Sequence, residues 1–415
     1  MAAKACDKLD PREQAPGTFF EQLLGNNIVL TRYHDWVRHR RIVSPALARN
    51  WDTKQFGEAV HNTMDRIVAS NGEAINAHDL TSNITLDAFG AVLFDTKFNA
   101  IKDPGNRFSV LYRELMDHMF KPFYLMFPML DSPHNPFRRE AYEKKAELDS
   151  LFFGLVETKR KKLAELNEKG IKFDRNSADL LSLLVHAVDS ETDDDKVSTL
   201  SMQELRNDIL IMYLAGHDTS STALAMAIYH LARDQQLQER ARQSVIDVLG
   251  DNDPSVPIPT AEEQRQLTYL TMVVKEALRV GPPVLIAPTR TVMADFALPD
   301  GTVLPKDTLV VVNIYAIHNN PQYWDNPAEF NPDRFANDTA DGFTMSSNPA
   351  WMPFGIGIRQ CAGMQFAMLE LRVILAMLLR KFTWTLAMPA DEKIESPLAT
   401  QLMPKNIRVS FKPRI

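Results

Sequence analysis

Cysteine is almost missing from this chain of 415 residues; there are two, Cys6 and Cys361, far apart in sequence. That excludes a four-cysteine metal or cluster site within one chain, disfavours a disulfide framework and fits a reducing compartment. Long apolar runs are missing too. None reaches the roughly 20 residues that span a bilayer, and the polar start MAAKACDKLDPREQ has no apolar signal-peptide segment. Surplus basic charge is lacking. With 46 Lys+Arg against 53 Asp+Glu the net charge is −7, which argues against wholesale nucleic-acid binding. No glycine fingerprint of a dinucleotide site, no flavin domain and no internal repeat is apparent.

What is present is apolar and helix-patterned. A hydrophobic content of 45% is ample for a large core. Apolar periodicity predicts helices over 84–94, 108–119, 138–166, 180–188, 236–249, 269–280 and 364–379. Ser201 with Glu204 forms a capping-box pattern that opens a long helix to about Arg233, and Thr260 with Glu263 repeats it. Residues 170–177 read as a loop, the acidic run 189–195 as a solvated one, and DNDPSVPIP as a break. Beyond Pro282, residues 289–292, 302–304 and 308–312 read as short strands around a turn at 299–301. Residues 321–337 are irregular, and 382–386 and 407–411 are strand-like. The fold class is mainly α with small β-sheets toward the C-terminus. The stretch FKPFYLMFPML, 120–130, is too short to span and is broken by Pro122 and Pro128. It reads either as a dip into a membrane surface or as a buried loop or helix end.

Four patterns carry chemistry. Cys361 follows a glycine-rich turn (Gly355, Gly357) and Arg359, and an apolar helical stretch follows it. Helix-end amides favour a thiolate there, Phe354, Ile356 and Ile358 shield it, and the glycines let the backbone fold close beneath a flat cofactor. The same features suit a small buried hydrophobe after a turn. In AGHDTSS, Ala215 and Gly216 leave room for a planar cofactor beside the helix, and Asp218 and Thr219 form an acid–alcohol pair. Thr219 is placed to bond back to a carbonyl one turn earlier. Glu276 and Arg279 lie three apart and share a helix face, which by itself reads as a surface ion pair. Trp36 and Arg40 lie four apart on a predicted helix, in a basic stretch with Arg38 and Arg41 that suits an acidic electron donor.

FGIGIRQCAG, 354–363, is similar to the haem-binding signature of the cytochrome P450 family, F-x-x-G-x-R-x-C-x-G, at every fixed position. AGHDT resembles the family's A-G-x-D-T motif. EALR (Glu276, Arg279) and FNPDRF (Phe330, Pro332, Arg334, Phe335) resemble E-x-x-R and F-x-P-x-R-F, and HDWVRHRR resembles W-x-x-x-R. These landmarks run in order from about Leu24 to the C-terminus. The resemblance implies one haem domain over 1–415 with the family's mainly α prism, of a eukaryotic microsomal type, and haem b (iron protoporphyrin IX) as cofactor. It implies that Cys361 is the axial iron ligand and that Arg359, Trp36, Arg40 and Arg290 (in APTR) serve the haem propionates. Phe354, Ala215 and Gly216 line the cofactor, Asp218 and Thr219 deliver protons, and Glu276, Arg279 and Arg334 form a structural triad. His318 is read as structural.

The implied activity is insertion of one atom of dioxygen into a small apolar organic substrate. Electrons come from an NADPH-dependent cytochrome P450 reductase or similar donor. A haem-thiolate isomerase or dehydratase, or a non-catalytic haem-binding fragment, stand as alternatives. Pocket residues are expected before Trp36, in 120–130, near Tyr213 and Leu214, and in 284–287. Two departures accompany the resemblance. Ile358 stands where proline is common. The W-x-x-x-R helix begins near residue 34, earlier than usual, so a membrane anchor, the first helices and outer strands are expected to be missing. A sheet edge is then exposed, and residues 1–20 are expected to be disordered. The resemblance implies an intracellular place, at the endoplasmic reticulum surface.

Overall fold

The computed structural model describes residues 9–11, 18–49, 51–103, 105–119, 121–189, 199–251, 257–338, 345–396 and 400–414. Cys6 and most of the two predicted loops at 189–195 and 251–259 lie outside the described residues. The helices are α1 (Phe19–Leu24), α2 (Tyr33–Leu47), α3 (Lys54–Ala69), α4 (Ala77–Phe89), α5 (Arg107–Met119), α6 (Pro122–Met126) and α7 (Arg139–Glu168). They continue with α8 (Leu180–Asp189), α9 (Met202–Arg233), α10 (Gln235–Leu249), α11 (Glu263–Gln266), α12 (Thr268–Val280), α13 (Ile314–His318) and α14 (Met364–Lys381). The strands are short: β1 (Leu9–Pro11), β2 (Ile75–Asn76), β3 (Arg290–Val292), β4 (Phe296–Ala297), β5 (Val303–Leu304), β6 (Leu309–Val310), β7 (Phe382–Leu386) and β8 (Arg408–Pro413). They form the antiparallel sheets β1-β3-β6, β2-β8-β7 and β4-β5.

The capping box at α9 forms as predicted. Ser201 Oγ accepts the Glu204 N–H at 3.2 Å, and the Glu204 carboxylate accepts the Ser201 N–H at 2.8 Å. From Ser220 to Ala232 every residue of α9 is buried, the pattern of a helix at the centre of a core. Helix α4 lies along it and starts earlier than apolar periodicity suggests. Asn76 caps it, its side-chain oxygen accepting the N–H groups of His78 and Asp79 at 2.9 and 3.1 Å, so a polar first turn is helical as well. Past Phe89 the helix widens into a π turn, Gly90–Phe94, that ends at Asp95 with φ 50°. Thr260 and Glu263 also exchange their capping bonds, but that helix runs only from Glu263 to Gln266.

Two expectations change at the N-terminal side. Leu9–Pro11 pairs antiparallel with β3, so this part of 1–20 is a strand, and α1 begins at Phe19. On the far side of the same sheet β6 has no further partner among the described residues, and Leu309 is exposed, the expected open edge.

Residues 121–130 are not a buried loop. Pro122 and Pro128 restrict the segment to the single turn of α6 and a 3₁₀ turn, Pro128–Leu130. Phe123, Phe127 and Leu130 are exposed, and Met129 is 87% exposed, with Phe137 at 86% beyond them. Phe120 lies outside the described residues. A buried bracket holds this apolar tip. Arg138 Nε donates to Asp131 Oδ1 at 2.7 Å, Asp131 Oδ2 accepts the Phe19 N–H at 2.9 Å, and Arg138 Nη1 donates to the His118 carbonyl at 3.0 Å. The Arg138 guanidinium also lies over the Phe19 and Tyr124 rings. Asp131→Ala leaves that guanidinium buried without its carboxylate. It is expected to cost about 3–5 kcal/mol of stability, read by chemical denaturation, and to speed proteolysis between α5 and α7.

Candidate active site

The loop before α14 owes its shape to two glycines. Gly355 has φ 67° and Gly357 φ 76°, conformations that residues with a Cβ avoid. The chain doubles back, so that the Cys361 N–H reaches the Phe354 carbonyl at 2.9 Å and the Gln360 N–H reaches that of Gly357 at 3.1 Å. A 3₁₀ turn over Gly357–Arg359 leaves Ile358 exposed and without a structural demand for proline. Cys361 has protein packed around it, and its side chain is exposed to solvent. Burial pushes its thiol pKa up, and the Gly363 N–H and the Arg40 charge pull it back only in part. The expected helix-end preference for thiolate therefore loses to desolvation.

Helix α2 buttresses this loop. Arg40 Nη1 donates to the Gln360 carbonyl at 3.2 Å, and Arg359 Nη1 donates to the Thr31 carbonyl at 3.0 Å. The Arg359 guanidinium lies 4.5 Å from the centroid of the Trp36 ring, so Trp36 steadies Arg359 by its face. Burial pulls the Arg40 guanidinium below its ordinary value, while Cys361 acts against that. Arg38 is not a free cation for a partner. It donates to the Thr199 carbonyl at 2.6 Å and pairs with Glu204, whose carboxyl is lowered to about 2. Arg41 is the exposed member of the stretch. Arg290 is carried by β3, in register with Pro11 on one side and Val310 on the other.

In α9, Ala215 exposes its side chain in mid-helix, and Thr219 Oγ1 donates to the Ala215 carbonyl at 2.8 Å. Asp218 is buried. Gly216 departs from the sequence expectation. A Cβ there would lie 2.2 Å from Phe89 Cε2, so the missing side chain makes room for a ring of α4 rather than for a cofactor. Two threonines of α4 also reach α9 carbonyls. Thr85 Oγ1 donates to His217 at 3.0 Å and Thr81 Oγ1 to Ser221 at 2.9 Å, which props the turn that carries Asp218 and Thr219.

Glu276, Arg279 and Arg334 do come together. Arg279 donates to both Glu276 oxygens at 2.7 and 2.8 Å, and Arg334 Nε lies 3.3 Å from Glu276 Oε1. The Asn331 N–H adds a bond to the same oxygen at 2.8 Å. His318 has both ring nitrogens engaged, Nδ1 at 3.1 Å from the Arg279 carbonyl and Nε2 accepting the Met352 N–H at 2.9 Å. Burial lowers it to about 4, so it is a neutral strut.

Sequence reasoning missed His78 and Tyr112, which face Asp218, and Glu370, which faces Ser220. For Glu370 a signal exists: it and Arg372 are charges inside the otherwise apolar α14. Glu370 is fully buried, and neither oxygen makes a hydrogen bond of normal geometry. Burial raises its carboxyl to about 8, the Ser220 hydroxyl drawing it part of the way down. Because the folded value lies above the unfolded one, near 4.5, the folded state holds a proton that the unfolded state releases between them. Stability is therefore lost as pH rises through that window. Glu370→Gln is expected to be near neutral at about pH 5 and to gain on the order of a few kcal/mol over the parent by about pH 8. Denaturant titration at several pH values checks this.

The sequence model of the family described as Cytochrome P450 matches residues 6–411. Cytochrome P450 4F5 of Rattus norvegicus is 30% identical over 387 residues, covering 90% of this chain and 71% of that one. Cytochrome P450 4F11 of Homo sapiens is 29% identical over 389 residues, with the same shares. Among solved structures, the cytochrome P450DA heme domain superimposes with a TM-score of 0.77 at 21% identity, covering 100% of this chain and 84% of that one.

Proposed function

The chain belongs to the cytochrome P450 family, monooxygenases that carry haem b, and on that premise we propose that it acts as one haem domain in which Cys361 ligates the iron and a small apolar organic molecule is oxidised. The single observation that carries the ligand assignment is the sulfur itself: exposed, and presented by a loop that doubles back on two left-handed glycines. The residues around it fit a haem. Arg40 is a partly buried cation whose described hydrogen bond goes to a carbonyl, which leaves charge to neutralise a propionate. Ala215 offers a wall without bulk, and Arg359 is held by the Trp36 face. In this reading Phe354 lines the cofactor beside Cys361, and Arg290 and Arg359 join Arg40 in binding its propionates.

Bound there, haem supplies the activation of dioxygen, with one atom entering the substrate and the other leaving as water, on electrons from NADPH through a reductase. The chain's own residues do the rest. The Cys361 thiol, pushed up by burial, gives its proton away when a metal's charge stands beside it. Thr219 spends its hydroxyl proton on the Ala215 carbonyl, so its oxygen is left to accept and orient a proton donor in the open space beside α9. Asp218, one residue before it, holds the proton that is passed on. Apolar side chains of α9 near Leu214 and of 284–287 exclude water and orient the substrate.

The exposed apolar tip after α5, held by the Asp131–Arg138 bracket, supports peripheral contact with a membrane surface. Among the described residues no helix is long and apolar enough to cross a membrane.

Cys361→Ser is expected to abolish the thiolate-type Soret band of the reduced, carbon monoxide-bound protein. Thr219→Ala is expected to keep that band and to lower product formed per NADPH by roughly 10-fold or more, once a turnover substrate is found on a lipid, terpenoid and aromatic panel. A serine variant that kept the band would remove Cys361 from the iron, and unchanged coupling would remove Thr219 from the relay. Replacing Met129 and Phe137 together by serine is expected to weaken co-sedimentation with phospholipid vesicles while leaving the band unchanged.

A further inference from the structure

Asp218 is not alone on its buried side. His78, in the first turn of α4, places Nε2 3.8 Å from Asp218 Oδ1 and 3.5 Å from Thr222 Oγ1. Asp218 Oδ1 is buried and accepts no hydrogen bond of normal geometry. A buried carboxylate oxygen without a partner is destabilised, so a proton donor belongs there. Catalytic hydrogen bonds are often long before substrate is bound. The His78 backbone is fixed by the Asn76 cap and by Thr81 Oγ1, which lies 3.1 Å from the His78 carbonyl and 2.9 Å from that of Ser221.

The other groups that face this pair are unsuited to exchanging protons with water. Tyr112 of α5 hydrogen-bonds toward Asp218, but burial and the carboxylate hold its phenol well above the ordinary range. His217 of α9 directs Nδ1 to the Tyr213 carbonyl at 2.6 Å and packs its ring 4.8 Å from that of Tyr112. Burial keeps it neutral. Asp79, next along α4, is exposed, and among the described residues the C-terminal segment contributes the Leu402 carbonyl, taken by Thr222 at 3.1 Å. The His78 and Asp218 side chains retain 11% and 10% exposure, and Asp218 Oδ1, the oxygen that faces His78, is itself buried, so His78 both faces that oxygen and touches solvent.

We propose that His78 reloads Asp218 with protons drawn from solvent, as a positioned relay residue behind the Asp218–Thr219 pair. This rests on the assignment of that pair to proton delivery. The step balances without electrons. A proton leaves Nε2 of the imidazolium for Asp218 Oδ1, giving neutral imidazole and a carboxylic acid. Water at the exposed edge of the ring then restores the imidazolium. Each proton that Asp218 passes on toward Thr219 is thus replaced by one from solvent.

Two measurements test it. The reduced, carbon monoxide-saturated protein, labelled with ¹³C at histidine Cε1, is titrated by NMR, with the His78 signal assigned by its loss in His78→Gln. Asp218→Asn is expected to lower the His78 midpoint, since an opposite charge is removed; an unmoved midpoint overturns the proposal. NADPH oxidation is then followed with purified NADPH-cytochrome P450 reductase and no organic substrate, in H₂O and D₂O, over about pH 6 to 8, where histidine changes charge. Both His78→Phe and His78→Gln are expected to slow it several-fold, to flatten its pH profile and to raise the solvent isotope effect, because neither side chain carries an exchangeable charge. A purely structural role predicts that the glutamine restores rate and profile, and that result overturns the proposal. Failure of the underlying assignment looks different: Asp218→Asn and Thr219→Ala leave the rate and isotope effect unchanged while the NMR coupling of His78 to Asp218 persists.

Discussion

The position of the thiol loop depends on one buried carboxylate. Glu276 is wholly inaccessible, and both of its oxygens are taken by Arg279, with Arg334 and the Asn331 amide sharing one of them. Arg279 in turn donates to the carbonyls of His318 and Glu329. His318 receives the Met352 N–H, and Trp351 Nε1 donates to the Lys275 carbonyl on α12. A single helix face thereby fastens the irregular segment that leads into Cys361. The charges tolerate burial because each is met by several donors or acceptors, and removal of any one leaves the others desolvated without a partner. Such a network adds little net stability over a well-packed apolar core. What it adds here is a unique position for a segment that has almost no secondary structure of its own.

The opposite wall is set by the contact of α4 with α9. Phe89 fills the space that Gly216 leaves, and Thr81 and Thr85 give the α9 carbonyls of Ser221 and His217 a second donor. Thr219 does the same to Ala215 from within the helix. A helical turn whose carbonyls are drawn outward from both sides is held in one geometry, and this is the turn that presents the acid and the alcohol. The packing of the two helices therefore sets where Asp218 and Thr219 stand.

Electrostatics around the sulfur run against the simplest expectation. A cysteine at the mouth of a helix, beside an arginine, invites the reading of a stable thiolate. The protein packed around the sulfur pushes the thiol up, and one amide and one guanidinium offset that only in part. Arg40 mirrors this from the other side, a cation whose value burial lowers and whose natural complement is an anionic group.

Much of the architecture was legible in order along the chain. The capping box at Ser201, the helical stripe of α12 and the strand 382–386 depend on neighbours a few residues away, and such local chemistry is written directly in sequence. The thiol loop was legible for the same reason, since its glycines, arginine and cysteine lie within ten positions and the left-handed turns they need are local. The start of α4 was harder to read because a single side-chain cap, not periodicity, decides it. The roles of Gly216 and Arg38 were not legible, and for Glu370 the sequence shows only a charge in an apolar helix. Each depends on a group brought from far along the chain: Phe89 against Gly216, Glu204 against Arg38, Ser220 against Glu370. The sequence by itself determined which residue types and local turns carry the chemistry. Only the tertiary structure decided which of those side chains are already engaged, which remain buried without a partner and which face one another, because burial and pairing are set by contacts between segments that no local pattern encodes.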